Sequence, residues 1–201
     1  MTKSFQGIDV SPHWRVLPPW VEPEVQGHVD GVRLIRINPG AGFGLGTHET
    51  TQLCLLALGH FLRTGLRPAT ALDFGSGSGI LAIGAALSGA RVEAVEINER
   101  ALENARENAT LNHVEQLIEF RTQLTEPVRE FDLVFANIVN PVLLEIGKAL
   151  CARQSRHGRM TLSGLVATDV PSILARYKPL LAPMSAQVYE RGDWRAIVFS
   201  P

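Results

Sequence analysis

From Ala69 to Leu181, short apolar runs alternate with longer segments of helical periodicity. Several of the apolar runs are almost continuously hydrophobic, which is typical of parallel strands that are buried on both faces. The alternation predicts an α/β fold, in which helices cover both faces of a mainly parallel sheet. The predicted strands cover residues 69–75, 90–97, 117–122, 131–138 and 159–164, and the predicted helices cover residues 50–62, 79–88, 99–112, 141–153 and 166–181.

The two ends of the chain follow different patterns. Near the C terminus, the strand-like runs of AQVYERGDWRAIVFS flank an Arg-Gly-Asp turn, which predicts an antiparallel hairpin. Residues 1–40 are rich in proline and contain an Asp30-Gly31 turn. We expect residues 1–40 to form an irregular arm with one hairpin, which is too small for a separate domain, and residues 41–201 to form the main domain.

Composition narrows the class of protein. The 201 residues carry a formal net charge of -1 and are 45% hydrophobic, as in ordinary globular proteins and unlike broadly basic nucleic-acid-binding proteins. Cys54 and Cys151 lie far apart and outside any zinc-binding spacing, so we expect a reducing cytoplasmic location and no metal site. The longest uncharged run, residues 74–90, is shorter than a bilayer span and contains glycine and serine, so no membrane segment is expected.

The stretch LDFGSGSGILAIGAA indicates a cofactor-binding loop. Gly75, Gly77 and Gly79 follow an apolar strand and precede a helix, where side-chain-free residues allow a ligand to approach the backbone amides. Glu96 ends the next predicted strand, a position from which a carboxylate can accept hydrogen bonds from both hydroxyls of a ribose. These residues predict a cofactor that contains ribose.

Two cofactor classes fit the loop. Gly77, Gly79 and Ala82 satisfy the dinucleotide fingerprint GxGxxG/A, with Glu96 at a suitable distance. Asp73, together with the three closely spaced glycines, gives DxGxGxG, which resembles the first motif of class I S-adenosylmethionine methyltransferases. The predicted terminal hairpin favours the methyltransferase interpretation.

A wider resemblance extends from about Trp14 to the C terminus. The chain resembles the PrmA family, bacterial enzymes that methylate protein eleven of the large ribosomal subunit. The resemblance implies a Rossmann-like class I methyltransferase fold, with a seven-stranded mainly parallel sheet, helices on both faces and a C-terminal antiparallel hairpin. The stretches that carry it are INPGAGFGLGTHETTQLCLLAL, LDFGSGSGILAIGAA, ENARENATLN, DLVFANIVNPVLLEI, LSGLVATDV and GDWRAIVFS.

The resemblance also implies a site and a substrate. S-adenosylmethionine would contact Thr51, Gly75, Glu96, where the family usually has aspartate, and Asn137. The substrate would be a protein amine, such as that of a ribosomal protein, although the family's N-terminal recognition domain is expected to be absent here. Methylation of a small molecule or an RNA base, and a catalytically silent cofactor-binding subunit, therefore stay open as alternatives.

Three further side chains are candidates for the site. We expect Asn137, at the end of the fourth predicted strand of the main domain, to accept hydrogen bonds from the acceptor amine; the alternative is a helix cap for the segment at Pro141. His48, in FGLGTHETT, is a candidate general base, pocket wall or loop organiser, of which we favour the last two. Phe43, which lies among glycines, is predicted to cover the cofactor from the side opposite the sheet.

Overall fold

The computed structural model describes residues 6–10, 12–22, 32–38, 40 and 46–201. The strands are β1 (Ile8–Val10), β2 (Trp14–Leu17), β3 (Arg33–Arg36), β4 (Thr70–Phe74), β5 (Arg91–Val95), β6 (Ile118–Arg121), β7 (Phe131–Asn137), β8 (Gln154–Val166), β9 (Ser185–Arg191) and β10 (Trp194–Ser200). The helices are α1 (Glu49–Arg63), α2 (Ile80–Leu87), α3 (Glu99–Leu111), α4 (Asn140–Cys151) and α5 (Val170–Leu181), with short 3-10 turns at Glu115–Leu117 and Ala167–Asp169.

The main sheet has seven strands in the order β6-β5-β4-β7-β8-β10-β9. Strands β4 to β8 run parallel to one another, whereas β10 is antiparallel to both β8 and β9. The predicted α/β fold with a C-terminal hairpin is thus confirmed. The strand order reverses at β4, since β5 and β6 extend to one side and β7 and β8 to the other, and ligands of such sheets bind at the carboxyl ends of the strands beside this point.

Alternate strand residues feed two hydrophobic cores, one on each face of the sheet. Ala71 of β4 packs in the core that contains α1 and α2. Leu72, the next residue, packs in the core that contains α4 and α5. Because both faces are buried, the central strands are mostly apolar, which explains the runs seen in the sequence.

The helix ends follow their capping residues. The side chain of Asn98 accepts hydrogen bonds from the N–H groups of Arg100 and Ala101 and caps α3, as predicted. Pro171 lies in the first turn of α5, also as predicted, although α5 begins only after the 3-10 turn. Within the described residues, no helix is long and apolar enough to cross a membrane.

A second sheet lies near the beginning of the chain. It has the order β1-β2-β3, in which β1 and β2 form an antiparallel hairpin that we did not predict and β3 lies parallel to β2. Its buried residues Trp14, Val16 and Ile35 belong to the same core as α1 and α2. The predicted hairpin around Asp30-Gly31 lies outside the described residues.

Candidate cofactor and active site

A cavity of about 920 Å³ opens where β4, β5 and β7 end. This volume is in the range of small-molecule and cofactor sites. Its wall is mostly apolar and is formed by Phe74, Val95, Ile97, Leu124, Ile138, Val139, Val142 and Trp194. Its polar side chains are His48, Thr50, Glu96, Thr122, Gln123 and Asn137. The site therefore combines an apolar surface with a few hydrogen-bonding groups.

The glycine loop forms one wall of the cavity. Gly75 and Gly77 line it, and Gly75 has a φ of +76°. A Cβ atom at Gly75 would lie 2.5 Å from Ile138 Cγ2, so both the backbone angle and the available space require glycine. Gly79 does not line the cavity; it precedes α2 with a φ of +80°, and a Cβ there would lie 3.1 Å from that of Ala105. Gly75 and Gly77 thus line the cavity, whereas Gly79 packs against α3.

Glu96 lies at the edge of the cavity beside this loop. Its Oε2 accepts a hydrogen bond from the Gly77 N–H at 3.0 Å, and its Oε1 accepts one from the Asn98 N–H at 2.9 Å. Each carboxylate oxygen has a second lone pair, so both can still accept a hydrogen bond from a ligand hydroxyl. This geometry fits the predicted ribose contact.

Asp73 lies behind the glycine loop and does not line the cavity. The side chain is buried, and Oδ2 accepts a hydrogen bond from the Ala82 N–H at 2.9 Å, which holds the first turn of α2. Burial is the main reason that the pKa of Asp73 is raised from 3.8 to about 7; the hydrogen bond from Ala82 opposes this shift, and the charge of Glu96 adds to it. Its place indicates support of the loop, not direct contact with a ligand.

The raised pKa of Asp73 predicts a pH dependence of stability. The folded protein keeps this proton up to about pH 7, whereas the unfolded chain releases it near 3.8, so the unfolded state binds fewer protons in that window. The free energy of unfolding should therefore fall, by on the order of 4 kcal/mol, as pH rises through the window. Asp73→Asn keeps an acceptor for Ala82 but cannot titrate.

Urea unfolding of the cofactor-free protein checks this prediction. We expect wild type and Asp73→Asn to have similar stability at about pH 4 and the variant to be the more stable at about pH 8. A stability difference that stays constant across the range would mean that Asp73 is already ionised at low pH in the folded protein.

Asn137 is the last residue of β7 and lines the cavity. Its Nδ2 donates a hydrogen bond to Thr51 Oγ1 at 3.4 Å. Among the described residues no hydrogen bond to Asn137 Oδ1 is found, so this oxygen can accept one from a ligand. The helix-cap alternative is wrong, because α4 is capped by Val139 without a side-chain bond. Thr51 is buried behind Asn137, and its neighbour Thr50 reaches the cavity wall instead.

His48 caps α1 and forms part of the wall. Its Nδ1 accepts a hydrogen bond from the Thr50 N–H at 3.4 Å and lies 2.9 Å from Thr50 Oγ1. Its ring contacts Trp194 edge-on, with 4.8 Å between ring centroids. These contacts agree with the two roles that we favoured, wall and loop organiser. Phe43 lies outside the described residues.

Several lining residues were missed by the sequence analysis. Ile97 follows Glu96 and is 87% exposed, which is unusual for isoleucine and could not be foreseen from a strand pattern. Trp194 reaches the site because β10 pairs with β8, where Trp194 lies opposite Val166. The segment Thr122–Leu124 is held by the next residue, Thr125, whose N–H and hydroxyl both donate to the buried carboxylate of Glu93, at 3.1 and 2.7 Å.

Comparison with known proteins gives the family. The family model for ribosomal protein L11 methyltransferase (PrmA) matches residues 1–201. The chain belongs to the PrmA family. Membership of a methyltransferase family decides against the dinucleotide interpretation of the glycine loop and supports the interpretation drawn from Asp73.

Individual relatives of this chain agree with its assignment to the PrmA family. A ribosomal protein L11 methyltransferase of Geotalea daltonii is 33% identical over 205 residues, which cover 97% of this chain and 64% of that protein. The crystal structure of a ribosomal protein L11 methylase from Lactobacillus delbrueckii subsp. bulgaricus aligns with a TM-score of 0.84 and 30% identity, and covers 98% of each chain.

A more distant solved structure shares the fold alone. The O-methyltransferase TomG from Streptomyces achromogenes, solved in complex with SAM, aligns with a TM-score of 0.57 and 15% identity over 76% of this chain and 81% of its own. The PrmA-family chain spans between 53% and 64% of the length of the first curated relatives that it matches.

Proposed function

We propose that this chain is an S-adenosylmethionine-dependent N-methyltransferase that acts on an amine of a protein, in keeping with relatives named for a ribosomal protein. The observation that carries the proposal is that one cavity presents both an acceptor for a ribose, Glu96, and an acceptor for an amine, Asn137. The two groups lie at the ends of β5 and β7, on either side of the glycine loop that follows β4.

The residues of the cavity fit S-adenosylmethionine. The carboxylate of Glu96 would accept from the ribose hydroxyls, and the exposed side chain of Ile97 beside it suits the face of an adenine ring. Gly75 and Gly77 leave the backbone open to close approach, because neither has a Cβ that would fill the cavity. When bound, S-adenosylmethionine supplies an electrophilic methyl group.

The acceptor amine must be neutral and correctly aimed. A lysine amine with a pKa of ~10.4 is neutral in only about one molecule in a few thousand at pH 7. The apolar side chains of Ile138, Val139 and Val142 line the cavity close to Asn137 in the chain, and the desolvation that they cause favours the neutral amine. Asn137 Oδ1 would accept a hydrogen bond from the amine N–H and direct the nitrogen lone pair towards the methyl group.

Alignment is the main contribution that methyl transfer requires of the protein. Correct orientation of two reactants can lower a reaction barrier by about 7–11 kcal/mol. His48, held by its cap and by Trp194, would fix the wall that confines the amine, and we assign it no proton transfer. The methylated amine leaves the reaction as an ammonium ion, which would lose its proton to water. An apolar site favours this loss because it makes the ammonium ion a stronger acid than it is in water.

Incubation with methyl-labelled S-adenosylmethionine and a host lysate tests the function. After separation into protein, RNA and small-molecule fractions, we expect the label in a protein band that is much weaker when Asn137→Ala replaces wild type. Label confined to RNA or small molecules would overturn the protein substrate but keep the chemistry. Cofactor binding without any label would favour the silent subunit.

A further inference from the structure

Three asparagines at α3 bind the backbone at the end of β3 and just after it. Asn104 and Asn108 belong to α3 and Asn112 is its C-cap; they are spaced four residues apart, so their side chains lie along one face of the helix. Asn112 accepts from the Arg36 N–H at 2.8 Å and donates to the Arg36 carbonyl at 2.6 Å. Asn108 accepts from the Asn38 N–H at 2.7 Å, and Asn104 donates to the Asn38 carbonyl at 3.3 Å.

Asn108 reaches in a second direction as well. Its Nδ2 donates to the carbonyl oxygen of Ser78 at 3.0 Å, and the Asn108 side chain is completely buried. Ser78 is the residue between Gly77, which lines the cavity and donates to Glu96, and Gly79, which precedes α2 as its N-cap. One side-chain amide therefore joins the glycine loop to the backbone at Asn38.

The position of this amide makes it sensitive to the shape of the loop. Gly77 and Gly79 have φ angles of +53° and +80°, so the peptide units on both sides of Ser78 have unusual orientations. A carbonyl that is held by a buried donor keeps its peptide unit in one orientation, because turning it away would leave Asn108 Nδ2 with only its long contact to the Asn38 carbonyl at 3.5 Å. The same peptide plane that Asn108 restrains through the Ser78 carbonyl carries the Gly79 N–H at its other end.

We propose that Asn108 is a positioning residue of the cofactor site, which holds the glycine loop in its binding geometry and couples it to the segment at residues 36–38. This inference rests on the proposed function, since it requires that the cavity bind S-adenosylmethionine. Asn108 does not line the cavity, so its effect on the cofactor would pass through Ser78 and Gly77.

The chain provides a matched control for this role. Asn112, the C-cap of α3, makes two bonds to the same segment but none to the glycine loop. We expect Asn108→Ala to raise the Kd for S-adenosylhomocysteine, measured by calorimetry, about tenfold, the change that corresponds to one lost buried hydrogen bond. Asn112→Ala should lower the Tm but leave the Kd within about twofold of wild type.

If Asn108→Ala and wild type had equal Kd values, or if Asn108→Ala and Asn112→Ala raised the Kd equally, Asn108 would have only a general structural role and the proposal would be wrong. A wild-type protein that binds no S-adenosylhomocysteine would instead contradict the proposed function, and this inference with it. The two failures are therefore distinguishable within one set of titrations.

Hydrogen exchange of the wild-type protein tests the coupling without any substitution. The Asn38 N–H bonds directly to Asn108, so its exchange reports on the bridge. We expect saturating S-adenosylhomocysteine to slow exchange in residues 36–38 together with residues 75–79, while strand β1 is unchanged. Protection of residues 75–79 alone would show that the bridge transmits nothing and would overturn the proposal.

Discussion

Replacement of Glu96 by alanine should raise the Kd for S-adenosylhomocysteine at least about a hundredfold. The variant would lose the proposed ribose acceptor and would also leave the N–H groups of Gly77 and Asn98 without their partner. Hydrogen bonds to a charged group contribute about 1.5–3 kcal/mol each, so two ribose contacts account for an effect of this size. Calorimetric titration of wild type and variant measures it.

Two further variants show whether the loss of affinity in Glu96→Ala comes from a lost ribose contact or from damage to the glycine loop. Glu96→Asp keeps the carboxylate and has the residue that the resemblance leads us to expect in the family, so it should retain most of the affinity. Glu99→Ala removes an exposed carboxylate in the first turn of α3, outside the cavity, and should not change the Kd. If Glu96→Ala bound the ligand as tightly as Glu99→Ala, the ribose would lie elsewhere.

The second large effect is expected for Asn137→Ala, which should lower kcat for methyl transfer about a hundredfold or more, because a misaligned amine loses much of the advantage of orientation. The Kd for S-adenosylhomocysteine should stay within about threefold of wild type, since the bond that we propose for the amide is to the acceptor amine and not to the ribose. The initial rate of methyl incorporation into the labelled protein band, beside the calorimetric Kd, gives both quantities.

Asn140→Ala is the matched control for this loss. Asn140 is the first residue of α4 and donates to Asp169 Oδ1 at 2.8 Å, and it does not line the cavity, so kcat should be close to wild type. The kcat of His48→Ala should lie between those of Asn137→Ala and Asn140→Ala, because this substitution weakens the cavity wall and the α1 cap but does not remove the proposed hydrogen-bond acceptor for the amine. Unchanged turnover in Asn137→Ala with normal cofactor affinity would remove Asn137 from the mechanism.

Much of the fold follows from local pattern. The central strands are buried on both faces, so their apolar runs end close to the strand ends, and Asn98 marks the start of α3 by its own side-chain bonds. Strand β8 was predicted too short because it begins at Gln154, in a polar stretch. That stretch is included through pairing of Gln154 with Phe131 across a register shift, which a hydrophobic pattern cannot indicate.

The site was less accessible to sequence reasoning, because it is assembled from distant segments. Glu96 and Asn137 could be placed, since each ends a strand beside the point where the strand order reverses. Trp194 could not, because its position depends on how the terminal hairpin pairs with β8. Asn108 has the pattern of an ordinary polar helix position, and only the packing of residues 36–38 against α3 reveals its contacts.

The measurement that tests the cofactor site most directly is a methyl NMR titration of the wild-type protein, labelled at isoleucine and valine, with S-adenosylhomocysteine. We predict that Ile97, Ile138, Val139 and Val142, which line the cavity, shift on binding. Ile173, a buried residue of α5, and Val188, on the outer strand β9, should not. Shifts confined to residues outside the cavity, or no shifts at saturating ligand, would contradict the placement of the cofactor at the ends of β4, β5 and β7.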